Sequence, residues 1–466
     1  MFRIIVLLKQ MFYRQRLIFK LFLILGFMVP FLLFAGGQKE KAPTSGSQKV
    51  TRIEEEGDLS LTGWSYAVDY AKELVQQYVN AYGVKTEFEG LPSGAKYNEL
   101  LVTKFLAHEP IDVLYLEDFT LTPFIASGWL TPLSAYAPAE KLKELTAQMQ
   151  DSFVTAWTVN NELYALPYYQ TVWLPIYNKK MFTEAGINQF PQTWAELKTA
   201  ALKIKQAGIL EYPITFAIGL TWTNKYQVYS MVLSEGGRLF DEKLDPVFEK
   251  FDSEFRKILE WLIDGLFVSK FIDPKSLETD ENANWRAFAE GQAAMTMIPG
   301  YRASQIYDQS LSKVADSASL AITPGKTNET VSWSRGYVVS AFTDAPSKIW
   351  TLIDFMGGSG KDGNFPGRRG WMANYALDSG YKHLWNEPDV RSTLAAKLGE
   401  ENIATMRKQT EQSRSIPQAP WMAAWVIDFE RELHRMLTRE ISLDSGVKNL
   451  ADSWQAKRKR FPDYHK

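Results

Sequence analysis

The chain has 466 residues, no cysteine, 45% hydrophobic and 23% charged content, and 52 basic against 54 acidic side chains for a formal charge of −2. That composition is globular and long enough for roughly two or three domains, which excludes a disordered chain, a disulfide scaffold, cysteine-ligated metal centres and thiol nucleophiles. A charge so near zero supplies no field to gather nucleic acid, so a small molecule is the expected partner.

Residues 1–37 carry five basic side chains, Arg3, Lys9, Arg14, Arg16 and Lys20, and no acidic one. They lead into the mostly apolar run Leu21–Ala35 and the small residues Ala35, Gly36 and Gly37. This order is that of a secretory signal peptide, with cleavage expected after Gly37 and Met11 as an alternative start. An uncleaved membrane anchor is the competing reading, but the run falls short of the roughly 20 apolar residues that a spanning helix needs. A lipid-anchored bacterial protein would hold cysteine at this junction, where glycine stands, so a released periplasmic protein is expected. Residues 38–57, rich in Gln, Lys, Glu and Ser, read as a flexible spacer.

From Leu59 strands and helices alternate. Leu59–Thr62 is a short apolar strand, and Ala71, Leu74, Val75, Tyr78 and Val79 then recur at helical spacing. Val84, Thr86 and Phe88 alternate with charged residues as a half-buried strand; a helix is predicted over about 95–107 and a buried strand over Ile111–Leu116. Such an order argues for a parallel sheet faced by helices. Further on, Thr193 and Glu196 form a capping box that opens a helix running to about Gly208. Helices over about 253–264 and 282–290, a strand over 293–298, a strand over 336–342 and a helix over 347–356 follow. The stretch from Pro420 to about Arg460 reads as almost wholly helical. Two α/β domains account for the pattern, and no repeat of solenoid length is found.

Catalytic and cofactor motifs are sparse. The four histidines, His108, His383, His434 and His465, lack metal-ligand spacing. Gly357 to Lys361 resembles a phosphate loop but has Phe355 where its first glycine is required and Asp362 after the lysine. No cofactor and no metal are expected. Glu117 and Asp118 end the strand Ile111–Leu116, where sheet topology places ligand sites. A glycosidase would need two carboxylates flanking the bond, so hydroxyl recognition is the simpler use. Aromatic residues stand at strand ends and turns: Trp64, Tyr66, Trp222, Tyr301, Trp333 and Trp371. An indole or phenol offers a flat apolar face with a polar rim, which suits the C–H face of a sugar ring.

Several segments in order carry a family resemblance. They are Ile111 to Asp118 with Ala126 to Leu133, then Asn161 to Tyr168 with Pro175 to Lys179, Ala185-Gly186 and Pro191 to Trp194, and Phe288 to Met295 leading to Pro299-Gly-Tyr301. Over about residues 58–460 the chain resembles the family 1 extracellular solute-binding proteins of bacterial ABC importers. The resemblance implies a two-lobed periplasmic-binding-protein fold of type II, α/β throughout, with a hinge between discontinuous lobes. The lobes are expected at 58–168 plus about 338–385, and 169–337 plus about 386–466, with crossings near Tyr168–Trp173 and Gly336–Ser340. A carbohydrate held between the lobes, a membrane permease as partner, a monomeric state and no catalysis are implied. Carried over by position, Tyr301 resembles the family's stacking aromatic, Arg369 falls near an arginine that some members use on ligand hydroxyls, and Trp371 lies beside it. Trp64, Tyr66, Glu117, Asp118, Tyr168, Trp222, Trp333 and Trp421 complete the expected contacts. An exported glycosidase, or the same receptor for a polyol or a glycerol-phosphate-type solute, are the alternatives. A phosphorylated ligand would want basic residues in the cleft, and only Arg335, Arg368 and Arg369 offer themselves.

Overall fold

A computed structural model describes residues 57–462 apart from Ser93, together with Tyr464. The leader and all but the last residue of the spacer lie outside the described residues, as does His465.

The strands in chain order are β1 (Leu59–Trp64), β2 (Thr86–Leu91), β3 (Val113–Glu117), β4 (Leu130–Thr131), β5 (Thr158–Val159), β6 (Glu162–Leu163), β7 (Ala165–Asn178), β8 (Met295–Pro299), β9 (Ala318–Leu320), β10 (Thr330–Ser340) and β11 (Ser413–Ser415). The main sheet runs β2-β1-β3-β10-β7-β8, with β4 and β11 beside β10 and β9 beside β7. β1 is parallel to β2 and β3, as the strand–helix alternation predicted. β10 enters antiparallel between β3 and β7.

The helix Val68–Tyr82 buries Ala71, Leu74, Val75 and Tyr78, one stripe of the expected periodicity, and stops at Gly83, whose φ of 71° suits a residue without Cβ. At Trp194–Gln206 the capping box is present: Thr193 accepts from the Glu196 amide and the Glu196 carboxylate accepts from the Thr193 amide. The helical C-terminal stretch is two helices, Met422–Leu437 and Leu443–Arg458. The strand expected at 336–342 begins six residues earlier, at Thr330. All eleven residues of the helix Asn224–Ser234 are buried, so it shows no polar face for periodicity to detect.

β7 is 14 residues long and serves two sets of partners. Ala165–Val172 pairs with β10, whereas Trp173–Tyr177 pairs with β8. β10 likewise pairs with β11 over Thr330–Ser332 and with β3 from Arg335 onward, just ahead of the interval predicted for the second crossing. Two hydrophobic cores result. One gathers β1, β3, Tyr168, Tyr337 and Trp371; the other gathers Trp173, Trp333, the helix Asn224–Ser234 and the two C-terminal helices. Tyr301 packs against both.

Candidate functional site

Arg335 stands at the register shift of β10, opposite Glu117 on one side and Tyr169 on the other. Alternation along a strand places Trp333 on the same face as Arg335. The guanidinium carbon lies 3.5 Å from the Trp64 ring centre and 3.8 Å from that of Trp333. Two indoles so close to one carbon cannot share a face without overlapping, so they cover opposite faces of the cation. Only its edge remains. One corner, Nη2, donates to the Glu117 carboxylate. Nε and Nη1 are buried and have no partner among the described residues. Burial pushes the Arg335 pKa down to about 10, against the opposing pull of Glu117.

Four more polar atoms on the rings beside it and on their neighbours are buried without a partner: Trp64 Nε1, Trp333 Nε1, the Tyr226 hydroxyl and Thr171 Oγ1. Thr171 is the cross-strand partner of Trp333, and the Tyr226 ring lies 5.5 Å from it. Each buried orphan costs about 1–3 kcal/mol, and a fold retains only about 5–15 kcal/mol in all. A polar ligand that bonded these atoms would recover that cost.

Asp118 is 2% exposed and accepts from Ser334 N at 2.8 Å, Ser334 Oγ at 2.9 Å and Phe119 N at 2.8 Å. Burial nevertheless raises its pKa to about 6, the three hydrogen bonds offsetting only part of the desolvation. Trp222 covers the outside: its ring is 5.1 Å from Trp333, and it is 39% exposed. Beside it the buried Lys225 pairs with Glu430 and lies 5.6 Å from the Phe119 ring.

The structure thus brings Trp64, Glu117, Asp118, Trp222 and Trp333 together around Arg335. A second aromatic group adjoins it. Trp371 is wholly buried among Tyr70, Tyr168 and Tyr375, with centroids 4.8, 5.3 and 5.1 Å away, and Tyr66 lies stacked outside it at 6.5 Å. Tyr168 is likewise a core ring, 4.2 Å from Tyr115, and touches the first group through Tyr169. Tyr301 lies against Arg302, whose guanidinium is 5.2 Å from its ring and is held by Glu281; burial raises the Tyr301 pKa.

Two predicted contacts lie elsewhere. Arg369 is spent on Glu387 and Asp389 at the surface. Trp421 packs with Trp454, Phe461 and Tyr464 in the C-terminal helices. Arg335, weighed from the sequence only as a phosphate contact, is the centre of the cluster. Its signal was the Trp333-x-Arg335 alternation and a glutamate ending a buried strand, which calls for a buried cation. Tyr226 and Thr171 had none. A cavity of about 590 Å³ opens elsewhere, lined by residues that include Gln150, Arg238, Glu329, Lys382 and Arg414, and none of the cluster lines it. Among the described residues no group of carboxylates and histidines could hold a metal ion.

Comparison with known proteins matches residues 64–361 to the family described as bacterial extracellular solute-binding protein. A mannitol-binding protein of Pseudomonas aeruginosa is 28% identical over 225 residues, 48% of this chain and 50% of that protein. The chain therefore spans about half the length of that relative. The diacetylchitobiose binding protein DasA of Streptomyces coelicolor is 24% identical over 188 residues, 39% of this chain and 41% of that one. Among solved structures, maltose-bound MalE3 of T. maritima superimposes with a TM-score of 0.71 at 20% identity, over 86% of this chain and 99% of that one. A solute-binding protein of Agrobacterium vitis with bound D-mannitol gives 0.64 at 19% identity, over 87% and 99%. The fold is the two-lobed α/β fold of these binding proteins.

Proposed function

Since the chain belongs to the bacterial extracellular solute-binding proteins, we propose that it is the receptor of an ABC importer, holding a carbohydrate or polyol between its lobes. It hands that solute to a membrane permease and carries out no catalysis. The lobes are residues 58–168 plus about 338–385, and 169–337 plus about 386–466. The observation that carries the reading is the edge of Arg335, clamped between two indoles with Nε and Nη1 unpartnered and other orphaned polar atoms around it. Unpartnered donors of this kind suit a solute rich in hydroxyl oxygens.

The ligands for which the relatives are named, mannitol, maltose and diacetylchitobiose, are of that chemistry. No described helix is long and apolar enough to cross a membrane, and the periplasm is the proposed location. Against a glycosidase, Glu117 is committed to Arg335, and Asp118 to Ser334 and Phe119. Calorimetric titration with hexitols, monosaccharides and disaccharides is the test. Saturable binding without release of reducing sugar is expected; no binding at millimolar concentration across the panel overturns the reading.

A further inference from the structure

The cations around the cluster are already matched. Arg335 is held by Glu117, Arg302 by Glu281 with Nη2 to Oε2 at 2.7 Å, and Lys225 by Glu430. Arg302 belongs to the same region, since it lies against the Tyr301 ring and its charge acts on the Tyr66 phenol. Asp118 adds a further carboxyl next to Glu117. Arg368 has no carboxylate bonded to it, but it is wholly buried, donates to Met356 O and the Tyr337 hydroxyl, and packs against Tyr168. An anionic ligand at the Arg335 edge would therefore meet a cation already neutralised by Glu117, and it would face Glu117 and Asp118 in a site of low dielectric.

We propose that the cleft selects an uncharged polyhydroxylated solute, and that Glu117, by neutralising Arg335, rejects the acid and phosphate forms of the same carbon skeleton. Rejection here is achieved by an unfavourable element, a carboxylate set where an anion would come to lie. This rests on the carbohydrate or polyol reading and names its charge class.

The test is calorimetry on the exported chain with matched probes: D-mannitol, D-mannonate and mannitol 1-phosphate, then D-glucose, D-gluconate and glucose 6-phosphate. For the series that binds, the neutral member is expected to be at least about 100-fold tighter than its acid or phosphate. Glu117→Gln should raise the affinity of the acid relative to the neutral member by about tenfold or more, since it leaves Arg335 uncompensated. Wild-type binding of an acid or phosphate as tightly as its neutral partner overturns the proposal while leaving the receptor reading intact, and so does an unchanged ratio in Glu117→Gln. Binding of none of these, nor of the disaccharides, overturns the carbohydrate reading and this proposal with it. Should Glu117→Gln fail to fold by circular dichroism, the wild-type comparison of neutral, acid and phosphate members decides the proposal alone.

Discussion

Trp222 and Trp333 stand 5.1 Å apart yet are 39% and 5% exposed, so the two rings of one pair answer to different forces. Trp222→Ala should lower the melting temperature less than Trp333→Ala, because the Trp222 ring is partly exposed though packed on Trp333 and Tyr226. It should weaken solute binding by about tenfold if the ring covers the ligand, a loss of about 1.4 kcal/mol measurable by calorimetry. Asp118 gives a pH prediction. Its carboxyl titrates near 6 when folded because it is buried, against an ordinary 3.8, so between those values the folded chain keeps a proton that the unfolded chain has lost. Its contribution to stability therefore falls as pH rises from about 4 to about 6 and is constant above. Asp118→Asn should flatten that part of the urea-unfolding profile relative to wild type, by up to about 3 kcal/mol across the window. Residues of this kind were only half legible in sequence. Trp222 and Trp333 could be found because loop and strand-end rings are local features. Arg335 had only an indirect signal, since its sandwich needs Trp64, Glu117 and Trp333 from three separated strands. The surroundings of Trp421 were not legible, because opening a helix says nothing about its neighbours, here Trp454, Phe461 and Tyr464, more than 30 residues further on.

At the scale of elements, the β7–β10 pair sets the cluster's geometry. Its register shifts between Arg335 and Gly336. A Cβ on Gly336 would come within 2.4 Å of Ala165 Cβ and 3.2 Å of the Trp157 ring, so the two strands approach there as only glycine permits. Gly336→Ala should force the strands apart, lower stability by about 1–3 kcal/mol in denaturant unfolding, and weaken solute binding as Arg335 shifts against Trp64. The local elements were readable because their signals are local: the capping box of Thr193 and Glu196 lies within four residues. β7 was not seen as one 14-residue strand, because its two halves are stabilised by different partners, β10 and β8. The helix Asn224–Ser234 escaped because burial on every side erases the amphipathic stripe.

For the molecule as a whole, a solute bound between the lobes stabilises only the folded chain. At 100 times its dissociation constant, a ligand identified by calorimetry should add about 2.7 kcal/mol, read as a concentration-dependent rise in melting temperature. A solute that binds without that rise would occupy some other place than a folded cleft. The two-lobed architecture itself was legible because ordered motifs along most of the chain point to one fold, whereas the position of β10 was not. That strand lies between β3 and β7 although about 150 residues separate it from β7 and about 210 from β3 in the chain. During synthesis, everything up to Asn178 emerges with a gap in the middle of its sheet, and the gap closes only when residue 340 has been made. Such a chain cannot complete its first lobe early, because the contacts that finish it are far apart in sequence. The first sheet is therefore finished only by the last third of the chain, which places its closure late in folding.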